Sequence, residues 1–164
     1  MRVVRHLLTP RWVMRLRYPP ALLARIEARI GEIERHRPGE LRFVVEHALE
    51  LGELFGGLTP RARALEIFGL LRVWDTEHNN GVLIYVLHAE RAVEIVADRG
   101  LARAVPQSDW DALCRQVETE FRAGRYDQGA MAAVDGAARL LERCYPASSH
   151  GAALNELPDQ PLLL

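Results

Sequence analysis

The amino-acid sequence predicts an α/β protein, a three-layer α/β/α sandwich with a small mixed β-sheet. Three strand-like segments, residues 41–45, 82–87 and 93–97, alternate with segments whose apolar residues recur at helical spacing. The middle segment is apolar throughout, as expected for a central strand that is covered on both faces. With 164 residues, 49% of them hydrophobic, the chain is long enough for one domain with a substantial core.

The first long helix is predicted to begin at Pro20, because proline is favoured in the first helical turn. Pro38 and Gly39 end it. Its buried stripe consists of Leu22, Leu23, Ile26, Ile30 and Ile33. Residues 41–45 then place apolar side chains at every second position, which predicts the first strand.

A second helix connects the first strand to the second. Thr59 is a typical helix N-cap and Pro60 a typical first helical residue, whereas residues 52–58 are predicted to form a loop. A helical crossover predicts that the first two strands run parallel, through a right-handed connection. Glu90 and Arg91 form the predicted turn of a hairpin, so the third strand should run antiparallel to the second.

The chain is predicted to consist of three parts. Residues 1–18 form a basic N-terminal arm, residues 19–145 form the domain, and residues 146–164 form a flexible C-terminal tail. Two amphipathic helices after the third strand complete the domain. The tail ends in three leucines at 162–164, which predict either docking on the chain's own domain or insertion into a groove of a neighbouring protein.

The arm is locally basic, although the whole chain has a formal net charge of -1. This balance argues against nucleic acid as a partner. The arm contains Arg2, Arg5, Arg11, Arg15 and Arg17, and all five precede the first acidic residue, Glu27. With Trp12 and Leu16 between them, they indicate one of two arrangements. Either the arm packs on the domain with solvated arginines, or it contacts a membrane surface or an unidentified protein partner.

The expected location is the cytoplasm, with peripheral membrane contact as the alternative. No apolar run approaches the roughly 20 residues that span a bilayer, and arginines interrupt every short apolar run near the N-terminus. Cys114 and Cys144 are expected to be free thiols. No histidines have zinc-ligand spacing, and no motif indicates an organic cofactor.

Polar residues concentrate in the loop before the second strand. Parallel strands begin at the same edge of a sheet, and an antiparallel partner ends there, so Glu40, residues 75–80 and Asp98 should share one rim. Asp98 is expected almost opposite Gly81. Carboxylate and amide oxygens in a flexible loop suit a hard cation such as Ca²⁺ or Mg²⁺. The candidate metal ligands are Asp75, Glu77, Asn79, Asn80 and Asp98.

The same loop has a second interpretation, a solvated turn whose polar side chains bond backbone amides. Its spacing is not that of an EF-hand, because the required glycine and final glutamate are missing. Arg72 and Arg99 flank the rim. They predict either a site for an anion such as phosphate or simple pairing with Asp75 and Asp98.

Three motifs then resemble a known family. Residues 79–86 read NNGVLIYV, similar to the D-N-G-V-L-L-L-V strand of the TPM domain family, and residues 93–101 read VEIVADRGL, similar to its V-R-I-E-V-G-Y-G-L return strand. Residues 121–129 read FRAGRYDQG and resemble its F-(K/R)-x-G-(D/N)-Y-x-x-G link between two late helices. Asn79 stands where the family usually has aspartate, and Asp98 with Arg99 stands where a Gly-Tyr pair is usual.

The resemblance implies an α/β/α sandwich, calcium binding in some members, and roles in the assembly or maintenance of membrane complexes. It also implies an acid phosphatase activity in the plant lumenal branch. Two function hypotheses follow. The first is a binding module for a divalent cation, calcium or magnesium, and for a protein or membrane partner. The second is a metal-assisted acid phosphatase acting on phosphate monoesters, with Asp75 or Asp98 as base or metal ligand.

Overall fold

The computed structural model describes residues 2–36, 38–145 and 155–164, and has a mixed four-stranded sheet between helices. The helices are α1 (Arg2–Leu8), α2 (Arg11–Arg17), α3 (Pro20–His36), α4 (Leu51–Phe55), α5 (Pro60–Leu70), α6 (Gln107–Arg122) and α7 (Tyr126–Cys144). The strands are β1 (Glu40–Glu46), β2 (Gly81–Leu87), β3 (Ala92–Ala97) and β4 (Leu162–Leu163). The predicted fold class is confirmed.

The sheet has the strand order β3-β2-β1-β4. β1 runs parallel to β2, with Phe43 opposite Ile84, and β2 runs antiparallel to β3, with Ile84 opposite Ile95. Both predicted orientations are therefore confirmed. Every residue of β2 is buried, which explains why this segment is apolar at successive positions.

Helices cover both faces of the sheet, and each face has its own core. Ile84 lies in the larger core, which α3, α6 and α7 complete with residues such as Trp110 and Phe121. Leu83 lies in the smaller core, which α5 completes with residues such as Ile67. Alternating β2 residues thus serve opposite layers, and the result is the three-layer sandwich.

The fourth strand was not predicted. Leu162 lies opposite Val44 in parallel register, and the backbone N–H of Leu164 donates to the carbonyl oxygen of Val45 at 2.9 Å. The terminal leucines thus dock on the chain's own domain and cover the free edge of β1. Residues 146–154 lie outside the described part of the chain, and the three-part division remains a prediction.

The connection to the second strand has one more helix than predicted. Residues 52–58 were expected to form a loop, but α4 occupies most of this range. Glu50 and Glu53 form a reciprocal capping box that holds its first turn. The next helix begins as predicted, because the Thr59 hydroxyl accepts a hydrogen bond from the backbone N–H of Ala62 at 3.1 Å.

The N-terminal arm packs on the domain at the β2–β3 turn. Glu90 accepts hydrogen bonds from the side chains of Arg2 at 2.7 Å and His6 at 2.8 Å. The other ring nitrogen of His6 accepts from the backbone N–H of Leu49 at 3.0 Å. Apolar side chains of the arm nevertheless stay exposed, namely Val4, Leu7, Leu8, Trp12 and Leu16. Among the described helices, none combines the length and apolar character that crossing a bilayer requires.

Candidate functional site

Three chain segments meet at the edge of the sheet where β1 and β2 begin. Glu40 lies opposite Gly81, and the backbone N–H of Asp98 donates to the carbonyl oxygen of Gly81 at 2.9 Å. Glu40, residues 75–80 and Asp98 therefore share one edge, as the strand directions predict. We call these residues the amino-end rim.

Local hydrogen bonds fix the rim loop. The Thr76 hydroxyl accepts from the backbone N–H of Asn80 at 3.1 Å, and Asn79 takes a left-handed conformation with φ of 52°, which asparagine tolerates well. The backbone N–H of Gly100 donates to the Asn79 carbonyl oxygen at 3.0 Å. A Cβ at Gly100 would lie 2.4 Å from that oxygen, so this close approach requires glycine.

Two of the predicted ligands are buried and incompletely satisfied. Asn80 is 3% exposed and Asp98 is 9% exposed. Asp98 Oδ1 accepts from the backbone N–H of Arg99 at 2.7 Å, but Asp98 Oδ2 and Asn80 Oδ1 have no hydrogen-bond partner among the described residues. A buried oxygen without a donor or a cation is costly, by about 1–3 kcal/mol.

Two other predicted ligands are engaged by the flanking arginines. Arg72 forms an exposed ion pair with Asp75 at 3.2 Å. The Arg99 side chain donates to Asn79 Oδ1 at 3.0 Å, so its partner is Asn79 rather than Asp98. A ligand role for Asp75 or Asn79 thus requires displacement of an arginine.

The C-terminal segment adds carboxylates to the rim. Glu156 accepts from the backbone N–H of Glu77, the fifth predicted ligand, whose side chain is exposed. Glu40 in turn accepts from the backbone N–H groups of Glu156 at 3.2 Å and Leu157 at 3.0 Å. Asp159 lies against α3, where a Cβ at Gly31 would be 2.6 Å from its carboxylate. Glu156 and Asp159 were missed in the sequence analysis because the tail was predicted to be flexible.

Glu34 is a buried carboxyl group beside this rim. Burial raises its pKa to about 9, and the negative charges of Glu40 and Asp159 add to the effect. The pKa of Glu40 is also raised, again first by burial and then by Glu156 and Asp159. Glu34 lies four residues after the buried Ile30 on α3, a spacing that identifies it as an inward-facing acid.

The rim therefore concentrates hard oxygen donors that disfavour one another's charge. Such donors suit Ca²⁺ or Mg²⁺ better than a transition metal. Within residues 2–36, 38–145 and 155–164, however, no three acidic, histidine or cysteine side chains are grouped closely enough to hold a metal. Binding here would need the loop to rearrange, and weak affinity is the expectation.

The fold and the rim together define an α/β/α domain with an acidic edge. The family model of the TPM domain matches residues 20–140, and the chain therefore belongs to the TPM domain family. No curated protein matches its sequence.

The solved structures that are similar to this chain include two bacterial proteins. One is the BA42 protein from the psychrophilic bacterium Bizionia argentinensis, with 25% identity and a TM-score of 0.74 over 88% of this chain and 93% of that one. The other is the N-terminal domain of a P. gingivalis protein, with 20% identity and a TM-score of 0.65 over 80% of both chains. The second likeness establishes the fold alone.

Proposed function

We propose that this chain is a non-enzymatic TPM-domain binding module with two contacts. It takes up a divalent cation, calcium or magnesium, at the amino-end rim, and it contacts an anionic membrane surface through its N-terminal arm. Assembly or maintenance of a membrane complex is the role that we infer for such a module from its family.

The cation part of the proposal rests on the two buried oxygens at the rim, Asn80 Oδ1 and Asp98 Oδ2, which have no hydrogen-bond partner among the described residues. A cation would satisfy them. It would also favour the charged forms of Glu34 and Glu40, whose pKa values are raised first by burial and then by the neighbouring carboxylates.

A calcium titration of the thermal melting temperature tests this part. For a Kd near 1 mM, 10 mM calcium should stabilise the fold by about 1.4 kcal/mol, a rise of roughly 4 °C for a chain of this length. Asp98→Asn should abolish the rise, whereas the exposed Asp111→Asn on α6 should retain it. No shift in the wild type, or an equal shift in Asp98→Asn, contradicts a cation site at this rim.

The membrane part rests on the composition of the arm's outer surface. Trp12 and Leu16 are more than three-fifths exposed, and Arg11 and Arg15 lie beside them with no acidic residue before Glu27. Apolar side chains next to cationic ones suit the interface of an anionic bilayer.

Sedimentation with lipid vesicles tests the membrane contact. Vesicles that contain phosphatidylglycerol should bind the full chain, and salt should weaken binding because screening acts on surface charges. Trp12→Ser with Leu16→Ser should abolish binding. Phe55→Ser, at an exposed apolar residue outside the arm, is the matched control. Equal binding by the arm variant and the control contradicts the proposal.

A metal-assisted acid phosphatase is the alternative function, and it has less support than the binding module. Covalent phosphoryl transfer needs a nucleophile with an activating base. The buried rim hydroxyl, Thr76, instead accepts the backbone N–H of Asn80. Metal-dependent turnover of a phosphate monoester that disappears in both Asp75→Ala and Asp98→Ala would reverse this order.

A further inference from the structure

A second polar site lies at the other end of the strands, opposite the amino-end rim. There, a cavity of about 600 Å³ opens between the N-terminal arm, the β2–β3 turn and the ends of α6 and α7. Its charged and aromatic lining includes Arg5, Arg17, His88, Arg91, Arg122 and Tyr126. We call this cavity the arginine pocket. It lies where β2 ends, and ligands of open α/β sheets commonly bind outside the carboxyl ends of parallel strands.

The positive charge of the arginine pocket is only partly neutralised. Arg122 pairs with Glu118 at 2.5 Å. Arg17 lies over the Tyr126 ring at 5.3 Å, and neither Arg5 nor Arg17 has a carboxylate partner within the described residues. The same holds for Arg91, whose side chain reaches only a backbone carbonyl at 3.4 Å.

The acidic residue at the pocket does not offset these charges. The carboxylate of Glu90 already accepts from Arg2 at 2.7 Å and His6 at 2.8 Å. Around this cavity, three guanidinium groups therefore have no acid partner among the described residues, and each can donate a forked pair of hydrogen bonds to an anion.

His88 is an independent indication of a missing ligand. It lines the cavity, is 4% exposed, and its Nδ1 has no hydrogen-bond partner in the part of the chain that the structure describes. Its ring contacts those of Tyr18 and Tyr126, at centroid distances of 5.9 and 5.3 Å. Burial lowers the pKa of His88 to about 4, and the charges of His47, Arg17 and Arg91 contribute to the same direction. A neutral ring at pH 7 carries one N–H, which can face an anion as a donor.

We propose that the arginine pocket binds a small organic phosphate monoester, with Arg17 and Arg91 on the phosphate and His88 at the base of the site. A doubly charged phosphate matches the unpaired guanidinium groups better than a single carboxylate does. The volume exceeds what phosphate alone fills, and it falls in the range of small-molecule sites. Tyr126 and Val13 provide the surface for the organic part. This site is separate from the amino-end rim and does not depend on the function proposed above.

A phosphate monoester group has two sources, a soluble phosphate ester and the headgroup of phosphatidic acid. Titration calorimetry of the full chain with phenyl phosphate tests the soluble source, with phenol as the uncharged control ligand. Sedimentation with vesicles that contain phosphatidic acid tests the lipid source. Phosphatidylglycerol vesicles measure the binding expected from the arm alone, so the excess binding to phosphatidic acid reports the pocket. Both sources use the same protein variants.

The expected result is binding of phenyl phosphate with a Kd below 1 mM and at least a tenfold loss in Arg17→Gln and in Arg91→Gln. The matched controls Arg103→Gln and Arg115→Gln change the same charge at exposed positions outside both the pocket and the arm, and should bind like the wild type. Thermal melting of all four variants checks that each is folded. Phosphatidic acid binding that needs Arg17 and Arg91, without phenyl phosphate binding, assigns the site to the lipid headgroup.

Two results would overturn the proposal. One is the absence of phenyl phosphate binding together with equal binding to phosphatidic acid and phosphatidylglycerol vesicles. The other is an equal loss in the pocket variants and in Arg103→Gln and Arg115→Gln, which would indicate general attraction by positive charge rather than a site.

Discussion

Replacing Glu34 by glutamine should stabilise the protein at neutral pH, because burial in the folded state favours the protonated form of the Glu34 carboxyl group. It is 5% exposed, and burial raises its pKa to about 9. A raised pKa in the folded state stabilises the protein below the unfolded value near 4.5. That contribution is lost progressively as the pH rises toward 9. Glutamine keeps an oxygen that can accept the backbone N–H of Leu41, the bond that Glu34 now makes at 2.7 Å.

The size of the gain follows from the same pKa. Protonating a carboxyl group of pKa 4.5 costs about 1.4 kcal/mol for each pH unit above that value. Glu34→Gln should therefore gain about 2 kcal/mol at pH 6 and about 3 kcal/mol at pH 7, with little gain at pH 4.5. Urea denaturation at these three pH values measures the difference in the free energy of unfolding.

The control is Glu32→Gln, which removes an exposed acid from the same helix. Glu32 pairs with Arg29 at the surface at 2.7 Å, and a pair of this kind contributes less than about 1 kcal/mol. A Glu34→Gln variant that is less stable than the wild type at pH 7 would refute the reasoning. So would a gain that does not shrink as the pH falls to 4.5.

Three further predictions concern other buried positions. The pKa of His88 is lowered to about 4, so the folded state should become less stable as the pH falls from 6.5 to 4. The expected loss is about 3 kcal/mol relative to a His88→Gln variant, and urea denaturation of both proteins measures this difference. Gly81→Ala should lower stability by at least about 2 kcal/mol in thermal denaturation, because the new Cβ would lie 1.9 Å from the Val73 carbonyl oxygen. Gly69→Ala is the control and should not lower stability, because the space around Gly69 is open. Tyr85→Phe should lower the free energy of unfolding in urea by about 1–3 kcal/mol, because it removes the hydroxyl that donates to the buried carboxylate of Glu46 at 2.5 Å.

Much of this fold can be predicted from the sequence, because short-range patterns mark where the central helices and strands lie. Thr59 and Pro60 mark the start of α5, and the alternation in residues 41–45 marks β1. The register follows from chain direction, since a short hairpin after a parallel pair brings Asp98 beside Gly81. These steps need only the local sequence patterns and the directions of consecutive strands.

The missed features depend on contacts between distant parts of the chain. β4 has only two residues and pairs with β1 from more than a hundred residues away, so no local pattern marks it as a strand. The arginine pocket likewise combines Arg17, Arg91 and Tyr126 from three separate elements. A search for spacing motifs along the sequence examines one element at a time, and cannot find a site of this kind.

The positions of the two proposed sites, at opposite ends of the strands, bear on the choice between a binding module and a phosphatase. The acidic rim lies where β1 and β2 begin, and the arginine pocket lies where β2 ends. A strand of seven residues spans about 20 Å, so the proposed cation and phosphate sites are too far apart for one metal ion to contact a phosphate in the pocket. Metal-assisted phosphoryl transfer requires both at one centre. With Arg72 and Arg99 engaged by Asp75 and Asn79 at the rim, the two edges of the sheet favour two separate binding functions over one catalytic centre.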